Sequence, residues 1–317
     1  MLKFKNWMLG ILVVSVLLTS CGKTIDESQI LVDYLESVES APFNVEKIAE
    51  YITADKVQEA LPDDVYIIDI RALEDFNTLG HIAGATQVDA GNVIAHLDEA
   101  DTGSKKIVIT CYTGQSAAFI SSLCRLAGHD TYSLKWGMCS WNAATAGPLN
   151  SNSKNTYEDD LVTDVTDKDP AGSLPILETG FETAGEILDA RINAVLTDGF
   201  SNSAITADKV IETPANYYIM NYWKTDHYNL GHIPGAIQYT PNVDILSTEA
   251  LNTLPTNKTI VVYCYTGQTS AYLTAYLKVL GYDAKSLKFG VNGMATDWAT
   301  TNELTHWDNT SYVLGYD

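Results

Sequence analysis

The sequence predicts two homologous α/β domains in tandem, because strand-like and helix-like segments alternate and the same motifs occur twice. A length of 317 residues suits about two domains, and a hydrophobic content of 46% is enough for buried cores. Four motifs recur in the same order. They occupy residues 52–57 and 205–210, 80–85 and 231–236, 111–115 and 264–268, and 134–138 and 287–291. We therefore assign one domain to residues 21–149 and the other to residues 176–317.

Each domain is expected to contain an open, mostly parallel sheet flanked by helices. Short apolar segments rich in β-branched and aromatic residues predict buried strands at 65–70, 107–110, 217–222 and 260–263. A loop containing glycine follows the second strand of each pair. Apolar residues at helical spacing come next, and Gly128 and Gly281 stand where the caps of these helices are expected.

The N-terminus has the features of an export signal. Lys3 and Lys5 precede an apolar run over residues 7–18, which is too short to span a bilayer comfortably. The sequence that ends at Cys21 resembles the lipobox of bacterial lipoproteins. This resemblance implies removal of residues 1–20, lipidation of Cys21 and a lipid-anchored protein on the outer side of a membrane in the bacterial cell envelope. A signal anchor, or an ordinary signal peptide with a chance cysteine, is the alternative.

The net charge argues against nucleic acids as partners, and the spacing of the possible ligand residues argues against a bound metal. The 40 acidic and 19 basic side chains give a formal net charge of −21, which disfavours binding to nucleic acids. Residues 150–175 are rich in Asn, Ser, Thr and Asp, and they are predicted to form a solvated, acidic linker. Their spacing is not that of a calcium-binding loop. The histidines and cysteines also lack close metal-ligand spacing, so no metal is expected.

Two cysteines stand where a strand is followed by a helix. Cys111 and Cys264 each end a predicted strand, and the same four residues follow both. At this position the helix N-terminus and several free amides favour a thiolate, which is the reactive form of cysteine. Gly114 and Gly267 allow the loop to curl so that its amides converge on the sulfur. The alternative is a pair of small buried cysteines without a chemical role.

These motifs resemble those of the rhodanese (sulfurtransferase) family. The loop pattern Cys-x-x-Gly follows Gly-His-Ile-(Ala/Pro)-Gly-Ala by about 30 residues, and residues 66–71 resemble the family's strand that ends in Asp-Val-Arg. The resemblance covers residues 45–145 and 198–300. It implies two tandem rhodanese-like domains in which Cys111 and Cys264 carry sulfur and Asp69 and Arg71 support the first loop. The substrate-binding loops are Tyr112, Thr113, Gly114, Gln115 and Ser116, and Tyr265, Thr266, Gly267, Gln268 and Thr269.

The implied function is a sulfurtransferase of the thiosulfate sulfurtransferase type. A thiolate would take a sulfane sulfur from thiosulfate, polysulfide or a persulfide and pass it to a thiol or other nucleophile, without a cofactor. A small sulfur donor, a thiol acceptor and a reducing thiol protein are the expected partners, because an exposed thiolate in an oxidising compartment is prone to oxidation. The alternative is a non-enzymatic module at the cell envelope that binds sulfur or a partner. A cysteine phosphatase or arsenate reductase is disfavoured, because Ala117 and Ser270 stand where those enzymes carry arginine.

The chain departs from the family pattern in two respects. Many family loops carry arginine at the sixth position, where this chain has Ser116 and Thr269, so binding of thiosulfate is expected to be weak. Those two hydroxyls are candidate donors to the sulfurs.

The second domain also lacks the Asp69 and Arg71 pair, since Asn221 and Trp223 take its place. If the pair orients the loop, the first domain is the better catalyst; if it is a surface ion pair, both domains could work. Cys139 could resolve a persulfide on Cys111, although a packed role is favoured. His81 and His232 are expected to be structural.

Overall fold

The structure, a computed structural model, describes residues 25–37, 39, 41 and 43–311. The predicted signal peptide and the predicted lipidation site Cys21 lie outside these residues. Among the residues described, none of the helices has the length and apolar character needed to cross a bilayer.

The first domain alternates strands with helices. In chain order its elements are α1 (Glu27–Glu36), β1 (Tyr51–Ile52), α2 (Ala54–Ala60), β2 (Val65–Asp69), α3 (Leu73–Thr78), β3 (Thr86–Gln87), α4 (Val93–Glu99), β4 (Lys106–Thr110), α5 (Gln115–Leu126), β5 (Thr131–Leu134), α6 (Met138–Trp141) and α7 (Gly147–Asn150).

The second domain repeats this succession. Its elements are α8 (Ala184–Asn202), β6 (Ala204–Ile205), α9 (Ala207–Glu212), β7 (Tyr218–Asn221), α10 (Thr225–Tyr228), β8 (Ile237–Gln238), β9 (Ile260–Tyr263), α11 (Gln268–Val279), β10 (Ala284–Leu287) and α12 (Thr296–Thr301).

The described residues form two five-stranded sheets with the same topology. The strand orders are β1-β5-β4-β2-β3 and β6-β10-β9-β7-β8, and neighbouring strands run parallel. The predicted α/β class, the four predicted strands and the duplication are therefore confirmed. Gly128 and Gly281 follow α5 and α11 with positive φ, as their predicted capping role requires.

The central strands β4 and β9 place the two cysteines. β9 is buried along its whole length and β4 is buried after its first residue, as expected for parallel strands covered on both faces. Cys111 and Cys264 follow directly at the carboxyl ends of these strands. Ligands of open parallel sheets are bound at this edge.

One hydrophobic cluster extends across both domains, in addition to separate clusters within each domain. Helices α5 and α11, which follow the cysteine loops, pack against each other, and their buried side chains belong to a single cluster that spans both domains. Tyr272 of α11 donates a hydrogen bond to the Glu50 carbonyl of the first domain, and its ring packs edge-on against Tyr51 with centroids 5.2 Å apart. The cysteine loops therefore lie next to each other at the domain interface.

The N-terminal helix α1 also contacts the second domain. The Glu27 carboxylate accepts hydrogen bonds from the backbone amides of Thr179 (2.7 Å) and Gly180 (2.8 Å). At the other end of α1, the Glu36 carboxylate accepts from the Ser247 amide at 2.6 Å. The start of the first domain is thus fixed to the second by its side chains.

Residues 150–175, predicted to be a solvated linker, lie along the second domain. The Lys154 amide donates to the Asn292 carbonyl (3.1 Å), and Val162 forms an antiparallel bridge with His232. Lys168 forms an ion pair with Asp244 at 3.1 Å. The acidic side chains are mostly exposed, as composition suggests, but the backbone that carries them is held in place.

The two histidines of the repeated Gly-His motif have structural contacts. His81 Nδ1 is 3.0 Å from the Phe76 carbonyl oxygen, and His232 Nδ1 is 2.9 Å from that of Tyr228. Each ring stacks on the aromatic ring of the same partner with centroids 3.6 Å apart. Both histidines therefore hold turns, which agrees with the expected structural role.

Candidate functional site

In both domains, backbone amides of the cysteine loop are directed at the sulfur. Cys111 Sγ accepts hydrogen bonds from the amides of Gly114 (3.2 Å) and Ala117 (3.4 Å). Cys264 Sγ accepts from the amides of Gly267 (3.2 Å) and Ser270 (3.3 Å). Since these amides belong to the first turns of α5 and α11, they have no partners within the helices. Backbone amides that converge on a sulfur in this way favour negative charge on it.

The glycine of each loop makes this arrangement possible. Gly114 and Gly267 precede α5 and α11 with φ of 84° and 88°, in the left-handed region that other residues adopt only under strain. A side chain at Gly114 would also collide with Gln268, and one at Gly267 would collide with Gln115. The repeated glycine thus meets a conformational and a steric requirement at once.

The turn that follows the last strand of each sheet in chain order packs against the cysteine loop and forms a hydrogen bond with it. The Met138 amide donates to the Cys111 carbonyl (2.8 Å), and in the other domain the Val291 amide donates to the Cys264 carbonyl (3.1 Å). Gly137 stands between the two segments, where an added Cβ would lie 2.6 Å from the amide nitrogen of Gly114. These turns lie in the repeated motif at 134–138 and 287–291, for which no role was predicted from the sequence. Its repetition in both domains was the available signal.

Most side chains of the predicted substrate-binding loops are occupied by other contacts. In the first loop the Tyr112 hydroxyl donates to the Asp75 carboxylate, and Thr113 Oγ1 accepts from Gln115 Nε2 at 3.1 Å. In the second loop the Tyr265 hydroxyl shares a hydrogen bond of 2.5 Å with His227 Nδ1, and Thr266 is buried. The loops therefore offer a ligand mainly their backbone.

Two expectations for individual loop side chains need correction. Thr269, expected as a hydroxyl donor to the sulfur, instead shares a hydrogen bond of 2.7 Å with the Tyr51 hydroxyl of the other domain. Ser270, one residue further on, brings its hydroxyl to 3.6 Å from Cys264 Sγ. Gln115 and Gln268, expected to face a substrate, direct their side chains across the domain interface.

Access to both sulfurs is narrow. Cys111 is 2% exposed and Cys264 is 1% exposed, although Tyr112, Ser116, Tyr265 and Thr269 are only half-buried. A reagent that reaches either sulfur must be small, or the loop must open to admit it.

Asp69 and Arg71 form a buried ion pair at the end of β2. Arg71 Nη2 lies 2.7 Å from Asp69 Oδ2 and both side chains are fully buried, so the alternative of a surface ion pair is wrong. Arg71 also donates to the Gly80 carbonyl at 2.8 Å. Its guanidinium carbon is 5.8 Å from the ring centre of Tyr112, the residue that follows Cys111. The pair thus contacts the cysteine loop.

In the second domain, an uncharged tryptophan contacts Tyr265, the residue that corresponds to Tyr112. Trp223 stacks on Tyr265 with parallel rings and centroids 5.0 Å apart. Asn221, in the place of Asp69, is fully buried. Burial raises the pKa of both Tyr112 and Tyr265 to about 12, with the nearby Asp75 carboxylate and the nearby Cys264 as the respective further causes. Both hydroxyls therefore remain protonated at neutral pH.

The other two described cysteines are in the core. Cys139 is fully buried and its thiol donates to the Thr145 carbonyl at 3.2 Å. Burial raises the pKa of Cys139 to about 12, so its reactive thiolate is rare at neutral pH. Burial likewise raises the pKa of Cys124, which lies within α5. These observations favour the packed role of Cys139.

The sequence matches a known domain family at both repeats. The rhodanese-like domain matches residues 53–144 and 214–297, which together make up more than half of the chain. The chain therefore belongs to the rhodanese-like family, with two copies of the domain in tandem.

Comparison with solved structures gives matches of about one domain in length. A rhodanese-like domain protein from Staphylococcus aureus is 23% identical, with 28% of this chain and 87% of that chain covered and a TM-score of 0.25. A rhodanese-related protein from Thermoplasma volcanium is 17% identical, with 28% and 86% covered and a TM-score of 0.26. CoADR-RHD from Bacillus anthracis is 17% identical, with 33% of this chain and 18% of that chain covered and a TM-score of 0.27. No curated protein matches the chain.

Replacing Asp69 tests the buried ion pair. Asp69→Asn leaves the Arg71 charge buried without its counter-ion, and we expect the free energy of unfolding to fall by about 3 kcal/mol in urea titrations. The matched control is the double variant Asp69→Asn/Arg71→Trp, which copies the arrangement of the second domain and should lose less. Equal stability of the wild type and Asp69→Asn would contradict the importance of the pair.

Replacing Cys139 tests whether it takes part in thiol chemistry. Because its thiol is buried and bonded to a carbonyl, we expect Cys139→Ala to leave the rate of persulfide formation on Cys111 within about twofold of wild type. Mass spectrometry of the peptide that contains Cys111 measures this rate after brief exposure to polysulfide. Loss of the persulfide, or its accumulation because it is no longer resolved, would assign Cys139 a chemical role.

Proposed function

We propose that the protein is a sulfurtransferase in which Cys111 carries a sulfane sulfur from a persulfide or polysulfide donor to a thiol acceptor. The observation that carries this proposal is the pair of backbone amides, from Gly114 and Ala117, directed at Cys111 Sγ. Membership of the rhodanese-like family supports it. The same amides that stabilise a thiolate can stabilise the terminal sulfur of a persulfide anion.

The first half-reaction loads the cysteine. The Cys111 thiolate attacks the outer sulfur of a donor R–S–S⁻, a new sulfur–sulfur bond forms, and the donor's own sulfur–sulfur bond breaks. The leaving group R–S⁻ departs with the electron pair of that bond. Cys111 is left as the persulfide Cys–S–S⁻, and there is no net oxidation or reduction.

The second half-reaction unloads it. A thiolate acceptor attacks the outer sulfur of the Cys111 persulfide, and Cys111 leaves as the thiolate that began the cycle. In this step the departing Cys111 thiolate can accept hydrogen bonds from amides that are already in position. Such preorganised donors lower the barrier because they need no reorganisation during the reaction.

The proposed donor follows from the groups that the Cys111 loop offers to a ligand. A loop that offers mainly backbone amides can bind a single anionic sulfur, but it lacks a guanidinium at Ser116 for the three oxygens of thiosulfate. The narrow access to Cys111 also favours a donor whose reactive end is a thin chain of sulfur atoms. Polysulfides and small persulfides meet both conditions better than thiosulfate.

The first domain is proposed as the principal catalyst. Its buried Asp69 and Arg71 pair presents a guanidinium to Tyr112, next to Cys111, whereas the second domain has neutral Asn221 and Trp223 in those places. The buried pair contacts the ring of Tyr112 and so helps to hold the backbone of the Cys111 loop in place. Cys264 is proposed as a weaker carrier.

The proposed setting is the bacterial cell envelope. The lipobox-like sequence that ends at Cys21 supports a lipid anchor, and the strongly acidic composition supports a soluble body outside the membrane. A reducing thiol protein would keep Cys111 available in an oxidising compartment.

Persulfide formation is the direct test of this function. After exposure to inorganic polysulfide, the purified protein should gain one sulfur atom on Cys111, and a thiol acceptor should remove it. We expect Cys111→Ser to lose most of the transfer rate and Cys264→Ser to keep most of it, as measured by mass spectrometry and by sulfide release. Loss of activity only in Cys264→Ser would move the assignment to the second domain. No sulfur on either cysteine, while both remain free thiols, would favour the non-enzymatic binding module.

An arginine at position 116 tests whether the lack of a guanidinium limits the use of thiosulfate. Because a guanidinium can bind thiosulfate oxygens by charge-assisted hydrogen bonds, we expect Ser116→Arg to raise kcat/KM for thiosulfate by about tenfold. The matched control is Ser116→Gln, which adds comparable bulk without charge and should give no gain. The effect of arginine should weaken at high ionic strength. An unchanged kcat/KM in Ser116→Arg would refute the electrostatic explanation.

A further inference from the structure

The glutamine that stands four residues after each cysteine forms a hydrogen bond with the opposite domain. Gln268 belongs to the second loop, yet its Oε1 accepts a hydrogen bond of 2.9 Å from the Trp136 amide in the first domain. Gln115 belongs to the first loop, and its Oε1 accepts a hydrogen bond of 2.9 Å from the Phe289 amide in the second domain. Both glutamines are only 3% exposed, so these contacts are shielded from water.

The amides that the glutamines bind lie in strained turns. Trp136 and Phe289 have φ of 66° and 63°, in the left-handed region that bulky side chains rarely adopt. Each is followed by the glycine that packs beneath a cysteine loop, Gly137 or Gly290. A contact that holds the strained residue therefore also holds the turn on which the loop rests.

In the first domain this support extends to Cys111. Gln268 Nε2 lies against Gly114, where no side chain could be accommodated, and is 3.4 Å from the Leu134 carbonyl. Gly114 donates one of the two amide hydrogen bonds to Cys111 Sγ. The turn beyond Trp136 donates the Met138 amide to the Cys111 carbonyl. A side chain of the second domain thus contacts both segments that shape the first sulfur site.

The reciprocal contact is similar but weaker. Gln115 lies against Gly267 and accepts from Phe289, but its Nε2 donates to Thr113 of its own loop rather than to the second domain. Gln268 has polar contacts to the opposite domain through both of its amide atoms, whereas Gln115 has one.

We propose that Gln268 is a positioning residue for the Cys111 loop, and that Gln115 has the same role for the Cys264 loop. Each domain thereby completes the sulfur site of the other, and neither site is fully formed in an isolated domain. The inference refines the role of the loops in the proposed function, but the contacts that carry it do not depend on the sulfur chemistry.

The proposal assigns each glutamine to the cysteine of the other domain rather than to the cysteine four residues before it. Without the Gln268 amide, Trp136 N–H loses its partner and Gly114 loses the atoms packed against it. The amide hydrogen bond to Cys111 Sγ should then weaken. Cys264 should keep its hydrogen bonds from the amides of Gly267 and Ser270, because the side chain that packs against Gly267 is that of Gln115, which this change leaves in place.

Thiol alkylation tests this assignment without any sulfur donor. Rates of reaction with iodoacetamide are measured for Cys111 and Cys264 separately, by peptide mass spectrometry, as a function of pH. In Gln268→Met, which keeps side-chain length but loses the amide, we expect the midpoint of the Cys111 profile to move about one pH unit upward. The midpoint for Cys264 should stay within about 0.3 unit of wild type.

The matched variant Gln115→Met should show the reverse pattern, with a smaller shift at Cys264. Gln268→Asn and Gln115→Asn, whose amides are one methylene too short for the contact, provide the same comparison if either methionine variant fails to fold.

An unchanged Cys111 profile in folded Gln268→Met or Gln268→Asn, or a shift confined to Cys264, would overturn the proposal. Equal shifts at both cysteines would indicate a general loosening of the fold and would also contradict it. Failure of the wild type to accept sulfur would refute the proposed function, but it would leave the alkylation profiles fully interpretable.

Discussion

The convergence of loop amides on a cysteine sulfur is the interaction on which the rest of the structure depends. Two amides reach each sulfur at 3.2–3.4 Å, and they do so only because a glycine with positive φ turns the chain into the following helix. The parallel strands β4 and β9 deliver the cysteines to the sheet edge, and the turns at Gly137 and Gly290 support the loops. The fold thus directs backbone hydrogen-bond donors at each of the two sulfurs.

The duplication places two such sites against each other. Because α5 and α11 pack together, the loops that precede them meet at the domain interface, and their glutamines and Thr269 bind the opposite domain. This arrangement explains why both sulfurs are almost completely buried and why the loop side chains are occupied. The two domains nevertheless differ beside their cysteine loops. The first retains a buried ion pair beside its cysteine loop, whereas the second has replaced it with stacked aromatic rings.

Much of the fold could be predicted from sequence because its signals are local. Runs of apolar residues predict the strands β2, β4, β7 and β9, helical spacing predicts α5 and α11, and repetition indicates the two domains. The position of Cys111 and Cys264 after buried strands was enough to predict amides around the sulfur. The cross-domain contacts could not be predicted, because Gln115 accepts from a backbone amide 174 residues away and no local pattern specifies such a partner. Likewise, the composition of residues 150–175 gave their polarity but not their backbone hydrogen bonds, and the burial of Asp69 and Arg71 depends on the packing around them.

A crystal structure of the protein after exposure to polysulfide tests the central claim most directly. We expect one additional sulfur atom bonded to Cys111 Sγ, enclosed by the loop and accepting hydrogen bonds from its amides, while Asp69 and Arg71 stay paired. Two results would contradict the account. One is an unmodified Cys111 in crystals of protein that has gained sulfur at another cysteine, and the other is an added sulfur on Cys111 that points away from the amides.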